Sequence, residues 1–309
     1  MTMIRATLRP LRAELIGVTG LVVLWLLAAG AVVGRLLAFQ IPAGCFDPGS
    51  SDPACITRAV DLARYQEFAG NWLTAVAIVA AYVPALGGFI LGIATVAKEL
   101  DQRTAVLAWS VGASRRTWLL QRTVPLAALL VVLGIAAAQM ISMLVRFSGS
   151  TSRLEGDFGA IPYLDFGPAA LAVSAFGLTV LVGAMLGRIL PSLLAGGAFV
   201  VFATLLVAQG NERLTAGESI VVESTMQIPG RQIDALLRTP DGRIIGWDAA
   251  FPDFADPNTG QLANGVVEMT RVVPIEIYPQ VAARYALFHV FLGLAALTIA
   301  FAVVERRSP

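Results

Sequence analysis

Six apolar stretches in this sequence are each long enough to cross a lipid bilayer, which takes about 20 residues of helix. Together they contain one charged residue, Arg35. A soluble chain of 309 residues, 57% of them apolar, could not bury so much apolar surface, so only a lipid-facing exterior fits this composition. The sequence therefore predicts an all-α polytopic membrane protein with six transmembrane helices, at Leu15–Phe39, Trp72–Ala97, Thr123–Val145, Gly167–Gly187, Ile189–Ala208 and Tyr285–Val304.

The charged residues are segregated between the two sides of the predicted membrane. If the N-terminus is cytoplasmic, the inner segments are 1–14, 98–122, Arg188 and 305–309, which carry eleven basic and four acidic residues. The rest of the chain carries eleven basic and seventeen acidic residues. By the positive-inside rule, both termini are predicted to be cytoplasmic and the protein to lie in the cell's inner (cytoplasmic) membrane. No basic face with interleaved aromatic residues supports nucleic-acid binding.

The two cysteines, Cys45 and Cys55, fall in the first predicted outer loop, in a stretch rich in glycine, proline, aspartate and serine. Outside the cytoplasmic membrane the environment allows disulfides to persist. Closing so short a loop would stabilise the fold by about 2–3 kcal/mol. The sequence therefore favours a structural Cys45–Cys55 disulfide over two unrelated thiols.

The spans and loops divide the chain into four segments. Residues 1–14 are predicted to form an amphipathic helix in the headgroup layer, because apolar and basic residues alternate there. Residues 15–208 contain the first five transmembrane helices. Residues 209–284 form the longest outer segment, predicted to be a small extracellular cap, and residues 285–309 contain the sixth helix and a cytoplasmic tail.

Strand-like patterns replace helical ones in the predicted cap. Residues 219–228 and 266–278 are rich in β-branched side chains, and residues 236–247 have a Pro-Asp-Gly turn at their centre. These patterns predict a β-rich cap with an irregular acidic loop at Phe251–Gly265. The cap aspartates lack the spacing of a metal-binding loop, and we interpret them as a solvated surface: Asp234, Asp241, Asp248, Asp253 and Asp256.

The longest predicted cytoplasmic piece, residues 98–118, joins the second and third spans, and we name it the elbow. Glu99 and Arg103 lie four residues apart, in the orientation that favours a helix. Gly112 would break this helix, and Ser114 is a suitable N-cap for a second helix that continues into the third span. A motor bound to the elbow could therefore move both spans together. The apolar stripe of the first helix would consist of Leu100, Thr104, Leu107 and Ala108.

Three runs in and beside the elbow have a specific resemblance: Val96–Thr104, Ala108-Trp109-Ser110 and Ser114–Leu119. They are similar to the coupling region of ABC-2 type permeases, the membrane-spanning subunits of ATP-binding-cassette (ABC) transporters. That family shows an acidic residue, a short polar turn ending in Gly-Thr, and a third span that begins with Ser and Arg. Leu-Ala-Trp and Ser-Arg-Arg-x-Trp look most like an actinobacterial-like branch. The chain departs from the pattern at Gln102-Arg103, since the family usually has glycine just before Thr104.

Two further segments resemble the same family. The hairpin Pro168–Leu206, with Arg188 and Pro191 at its turn, is similar to the family's fourth and fifth spans. Tyr278-Pro279-Gln280 is a weaker match just ahead of the last span.

The resemblance implies a subunit of six helices that pairs with a second copy or a homologue and is driven by cytoplasmic ATPase subunits. The chain has no GxxxxGK[ST] loop, so the resemblance assigns ATP and Mg to the partner and no cofactor to this chain. It also implies export of a hydrophobic or amphipathic small molecule, such as a drug, a lipid-like compound or a natural product. The residues that would meet the ATPase are Glu99, Asp101, Arg103, Thr104, Arg115 and Arg116; the alternative is an ordinary solvated basic loop.

A few polar or soft side chains lie inside the predicted spans. Arg35 is near the outer end of span 1, where it either reaches the lipid headgroups or contacts substrate. His289 is interpreted as a hydrogen-bonded packing residue, since one histidine makes a poor metal site. Glycine pairs four residues apart, which allow close helix packing, occur at Gly30/Gly34, Gly88/Gly92 and Gly183/Gly187. Gln139, Met140 and Met143 of span 3 either line a substrate cavity with Arg35 or pack in the core.

Other functional classes find less support in the sequence. An ion-coupled transporter normally needs acidic groups in mid-membrane, and no Asp or Glu falls within a predicted span. Catalysis within the membrane needs a nucleophile with a base, paired carboxylates or metal ligands, and the spans offer one histidine and no acids. The remaining alternative is a membrane-anchored sensor that binds a ligand through its extracellular cap.

Overall fold

The computed structural model contains six helices that are long and apolar enough to cross a membrane, and each overlaps one predicted span. The six-helix prediction is therefore confirmed. The helices are α1 (Arg12–Ala38), α2 (Ala59–Asp101), α3 (Arg115–Phe147), α4 (Gly167–Leu186), α5 (Ile189–Gly217) and α6 (Tyr278–Arg306). The residues described by the structure are 12–46, 53–105, 109, 114–147, 158–226, 228–247, 254 and 262–307.

Helix α2 is much longer than the predicted second span. Its 43 residues make a rod of about 65 Å at 1.5 Å per residue, roughly twice the thickness of the hydrocarbon core. The sequence has neither proline nor a Gly-rich turn between Ala59 and Trp72, so the helix continues without a break into the predicted span. At the N-terminus, α1 begins at Arg12, so residues 12–14 belong to the transmembrane helix. The other eleven residues of the predicted amphipathic segment lie outside the described residues.

Helix α4 lies at the centre of the transmembrane helices. Its residues are buried from Gly167 through Leu181, whereas α1 and α5 have most of their surface exposed. A helix that is apolar on every side must be buried on every side or face lipid, and small residues let its neighbours approach closely. Four helices meet α4 through a glycine: Gly88 of α2 faces Ala172, Gly134 of α3 faces Ala169, Gly196 of α5 faces Thr179 and Gly293 of α6 faces Val173.

The glycine pairs differ in their surroundings. Gly88 and Gly92 of α2 pack against α4, and Gly183 of α4 faces Ala97 of α2. Nothing lies within 4 Å of a Cβ built at Gly30 or Gly34 of α1. The contacts of Gly88, Gly92 and Gly183 therefore join helices within one chain, whereas the Gly30/Gly34 pair of α1 faces open space.

The predicted Cys45–Cys55 disulfide is present, with the two Cα atoms 5.3 Å apart. It closes the loop between α1 and the short helix Pro53–Thr57. Beside it, the rings of Phe39 and Phe46 contact Tyr65 of α2 at centroid distances of 5.8 and 5.1 Å. The disulfide and these rings hold the loop against the start of α2.

Backbone contacts divide the chain into two compact units, and residues 208–281 with 156–158 form the second. It contains an antiparallel sheet with the strand order β1-β4-β2-β3. The predicted β-rich character of this segment is confirmed. The strands are β1 (Ile220–Glu223), β2 (Gly230–Arg238), β3 (Ile244–Gly246) and β4 (Val267–Pro274).

The predicted Pro-Asp-Gly turn joins β2 to β3. Gly242 has a φ of 84°, which favours glycine. The Asp241 carboxylate accepts hydrogen bonds from the Thr239 hydroxyl and from Nε of Arg243. These hydrogen bonds lower the pKa of Asp241, which is exposed as predicted. Asp234 is also exposed, whereas Asp248, Asp253, Asp256 and most of the loop Phe251–Gly265 lie outside the described residues.

Candidate coupling site at the helix ends

The elbow begins with a sharp turn. Helix α2 ends at Asp101, Gln102 is its C-cap, and Arg103 has a left-handed backbone with a φ of 58°. The Arg103 N–H donates to the carbonyl of Leu100 at 3.2 Å. The prediction of one continuous helix from Glu99 through Arg103 is therefore wrong. The left-handed position just beyond a helix usually holds glycine, which matches the residue that the ABC-2 pattern has here.

Glu99 instead pairs with Arg122 of α3. The two side chains are 8% and 13% exposed, and Oε1 of Glu99 lies 2.6 Å from Nη1 of Arg122. The Thr104 hydroxyl donates to the other carboxylate oxygen of Glu99 at 2.5 Å. One buried carboxylate therefore fixes the turn after α2 and joins it to α3.

Aromatic rings continue this contact along the elbow. The Arg122 guanidinium lies 5.0 Å from the ring centroid of Trp118, and the Arg115 guanidinium lies 5.0 Å from that of Trp109. The two tryptophan rings meet edge to face at 5.6 Å. Each arginine can gain a cation–π attraction from the ring that it faces, so these contacts hold Trp109 against the start of α3.

Charged side chains from the elbow and the tail lie at the ends of other helices. Oδ2 of Asp101 accepts from the N–H of Ile189, the first residue of α5, at 3.4 Å. Arg115 donates to the carbonyls of Glu305, at 3.0 Å, and of Arg307. In turn, Arg307 donates to the carbonyl of Met185 in the last turn of α4 at 3.1 Å. Each charge has the sign that the helix dipole favours, negative at an N-terminus and positive at a C-terminus.

A further ion pair includes α1 in the same group of contacts. Lys98, the only lysine of the chain, lies 2.5 Å from the Glu14 carboxylate in the first turn of α1. With this pair, an end of every one of the six helices is bonded to the elbow or to a residue that contacts it. We name these contacts the helix-end network; its members are Glu14, Lys98, Glu99, Asp101, Thr104, Arg115, Arg122 and Arg307.

Ser114 begins the second half of the elbow as predicted. Its hydroxyl oxygen accepts from the backbone N–H of Thr117 at 3.1 Å, and α3 starts at the next residue. This is the geometry of an N-cap. Between the two halves, residues 106–108 and 110–113, including the predicted break at Gly112, lie outside the described residues.

The residues predicted to meet an ATPase divide into two groups. Asp101, Arg103, Thr104 and Arg116 are exposed, although the Thr104 hydroxyl is bonded to Glu99. Glu99 is buried and Arg115 is half-buried, so these two side chains position the elbow from within. Sequence reasoning missed Arg122 and Glu14 as partners. The four-residue spacing of Trp118 and Arg122, which places them on one helix face, was the available signal.

The residues predicted to line a substrate cavity lie on different surfaces. Arg35 is exposed on α1, with its guanidinium 5.4 Å from the ring centroid of Phe39. Met140 packs against a buried cluster formed by α1, α2 and α3. Gln139 and Met143 are exposed on α3.

Two apolar grooves lie between helices of the transmembrane unit. One, of about 560 Å³, separates α1 from α2 and is lined by residues that include Trp25 and Trp72. The other, of about 480 Å³, lies between α2 and α5 and is lined by residues that include Tyr82, Phe89 and Thr204.

His289 is a buried hydrogen-bonded residue, as predicted. Its Nδ1 lies 3.0 Å from the hydroxyl of Ser174 in α4, and its ring packs 4.7 Å from that of Tyr285. Ser174 also donates to the carbonyl of Leu171 at 2.9 Å. The contact joins α6 to α4 at the centre of the transmembrane unit. Among the described residues, no group of three or more His, Cys, Asp and Glu side chains could hold a metal ion.

Comparison with known proteins gives one family. The family model described as ABC-2 membrane transporter related matches residues 16–210, which cover all or most of five of the six helices and the whole elbow. No curated protein and no solved structure matches significantly. Because the match covers well over half of the chain, this protein belongs to the ABC-2 membrane transporter related family.

Proposed function

We propose that this chain is the membrane subunit of an ABC transporter in which a partner ATPase docks on the elbow. The family supports a membrane subunit and implies an ATPase partner. The observation that carries the docking site is the helix-end network, because it bonds the elbow to an end of each helix. Force applied at the elbow would therefore reach all six helices.

The exposed residues of the elbow supply the docking surface in this proposal. Asp101, Arg103 and Arg116 have side chains that a partner can reach. Glu99 and Arg115 act from within: the first fixes the turn after α2, and the second holds the end of α6. The docked surface would then move as one rigid part with α2 and α3.

We further propose that the substrate is a hydrophobic or amphipathic small molecule and that the direction is export. Two apolar grooves, of about 560 and 480 Å³, support an apolar substrate, and both fall within the size range of small-molecule sites. A second copy or a homologue would complete the permease. The open glycines of α1, Gly30 and Gly34, support a close helix contact with that second subunit.

Docking is tested by expressing this chain with any ABC ATPase subunit that is encoded beside it and purifying the pair in lipid nanodiscs. We expect the ATPase to copurify, and we expect the double variant Asp101→Ala with Arg116→Ala to weaken this binding at least tenfold. Arg231→Ala is the matched control, because Arg231 forms an exposed ion pair with Glu212 in the sheet unit. If no ATPase binds the unaltered chain and ATP drives no transport, the proposed function is wrong.

The orientation is tested by cysteine labelling. Both native cysteines are in the disulfide, so an introduced cysteine would be the only free thiol. Gln102 and Asp234 are exposed in the elbow and in the sheet unit. In intact protoplasts, an impermeant maleimide is expected to label Asp234→Cys at once and Gln102→Cys only after permeabilisation. The opposite pattern would place the elbow outside the cell and exclude a cytoplasmic ATPase there.

A further inference from the structure

Exposed arginines without partners are concentrated where the helices meet the elbow. Among the described residues, five arginines at this end have exposed side chains that make no hydrogen-bond, ion-pair or ring contact. The acidic residues at the same end are mostly engaged: Glu14 and Glu99 are in ion pairs, and Asp101 accepts from α5. The surface is therefore strongly positive. The five arginines are Arg12, Arg103, Arg116, Arg188 and Arg306.

Arg103 differs from the other four in its backbone. Its φ of 58° lies in the left-handed region, and only two other described residues besides glycines have a positive φ, Gln40 and Asp165. A residue with a Cβ is strained there, and glycine would relieve the strain. The sequence nevertheless has arginine at position 103, where the backbone favours glycine. A role of the arginine side chain would explain why the protein has this strained residue.

The strained turn is held rigidly from beneath. Glu99 is paired with Arg122 and bonded to the Thr104 hydroxyl, which fixes the residues on both sides of Arg103. The Arg103 N–H is bonded to the Leu100 carbonyl. As a result, the start of the Arg103 side chain has a fixed position and direction, while its guanidinium is free.

We infer that Arg103 inserts into an acidic socket on the partner ATPase and determines how that subunit docks. This inference rests on the proposed function and adds the chemistry of the partner's surface. An arginine can pair bidentately with a carboxylate, which gives direction as well as attraction. The rigid placement of the Arg103 side chain favours a protein partner with a fixed shape over the lipid surface. Lipid headgroups are fluid, so an arginine on an unstrained backbone could reach them equally well. A protein socket therefore explains the strained arginine better than the membrane surface does.

Four variants of Arg103 separate the side chain from the backbone. Arg103→Gly removes both the charge and the strain, and Arg103→Asn removes the charge but tolerates the left-handed backbone. Arg103→Lys keeps the charge without the bidentate fork, and Arg103→Glu reverses the charge. Arg231→Ala is again the matched loss of one exposed cation. All are made in the full chain, reconstituted in nanodiscs of neutral lipid, and titrated with the ATPase subunit.

We expect Arg103→Gly and Arg103→Asn to weaken ATPase binding about tenfold or more, as loss of one docked charge does at other interfaces. Arg103→Lys should weaken it less, and Arg103→Glu should weaken it most. Thermal unfolding of Arg103→Gly should occur at the same or a higher temperature than that of the unaltered chain, which shows that the loss of binding is not loss of fold. Binding should also depend less on salt once the charge is gone.

Two results overturn the inference while leaving the proposed function intact. One is that the unaltered chain binds the ATPase and Arg103→Gly binds it within twofold of the same affinity. The other is that Arg103→Gly binds the ATPase normally but binds vesicles of anionic lipid more weakly, which would assign Arg103 to headgroups. Failure of the unaltered chain to bind the ATPase at all would instead overturn the proposed function.

Discussion

Replacing Arg122 with methionine is expected to lower the free energy of unfolding by about 3–5 kcal/mol. Arg122 and Glu99 are 13% and 8% exposed, and their charged atoms lie 2.6 Å apart. Methionine would leave the Glu99 carboxylate buried without its cation, with the Thr104 hydroxyl as its remaining described hydrogen-bond donor. The change is measured by equilibrium unfolding in detergent.

The double variant Glu99→Leu with Arg122→Met is expected to recover most of that stability. Removing both charges avoids an unpaired buried ion, and apolar replacements of buried ion pairs are often neutral or stabilising. Arg231→Ala breaks the exposed pair with Glu212 and is expected to cost less than about 1 kcal/mol. Equal losses from Arg122→Met and Arg231→Ala would show that the pair behaves as an ordinary surface ion pair and does not hold the elbow.

The transmembrane helices could be predicted because bilayer thickness imposes a length and an apolar composition on each span. The ends of those helices are set by other forces. Helix α2 extends beyond the predicted span, from Trp72 back to Ala59, because no proline or Gly-rich turn in that stretch ends the helix. Likewise, β2 begins at Gly230, ahead of the predicted strand. The prediction missed this part of β2 because its first six residues are exposed and show no alternation of apolar and polar side chains.

Contacts of the elbow could be predicted only where they are local in the sequence. The Ser114 cap joins residues three apart and follows from residue type. The four-residue spacing to Arg103 does not give the partner of Glu99, because such a spacing assumes that the helix continues. Its actual partner, Arg122, is on another helix, and the contact of Asp101 with Ile189 spans 88 residues. Tertiary packing decides which distant side chains meet, and these pairs cannot be read from a single sequence.

Replacing Gly88 with alanine is expected to destabilise the protein by about 1–3 kcal/mol, and leucine by more. A Cβ at this position would lie 2.5 Å from the carbonyl oxygen of Ala172 and 3.2 Å from the backbone nitrogen of Phe176, both in α4. Neither backbone atom can rotate away as a side chain does, so α2 would have to separate from the central helix. The same unfolding measurement in detergent tests the expectation.

Gly30→Ala is the matched control, because it adds the same methyl group to another glycine of a four-residue pair. Nothing lies within 4 Å of a Cβ at Gly30, and alanine is the better helix former by about 1 kcal/mol. Its unfolding transition is therefore expected to stay unchanged or to shift slightly toward higher stability. If Gly30→Ala is as damaging as Gly88→Ala, the spacing itself would matter more than the packing observed around it. A loss of dimer with an unchanged unfolding transition would instead assign the open face of α1 to the contact between subunits.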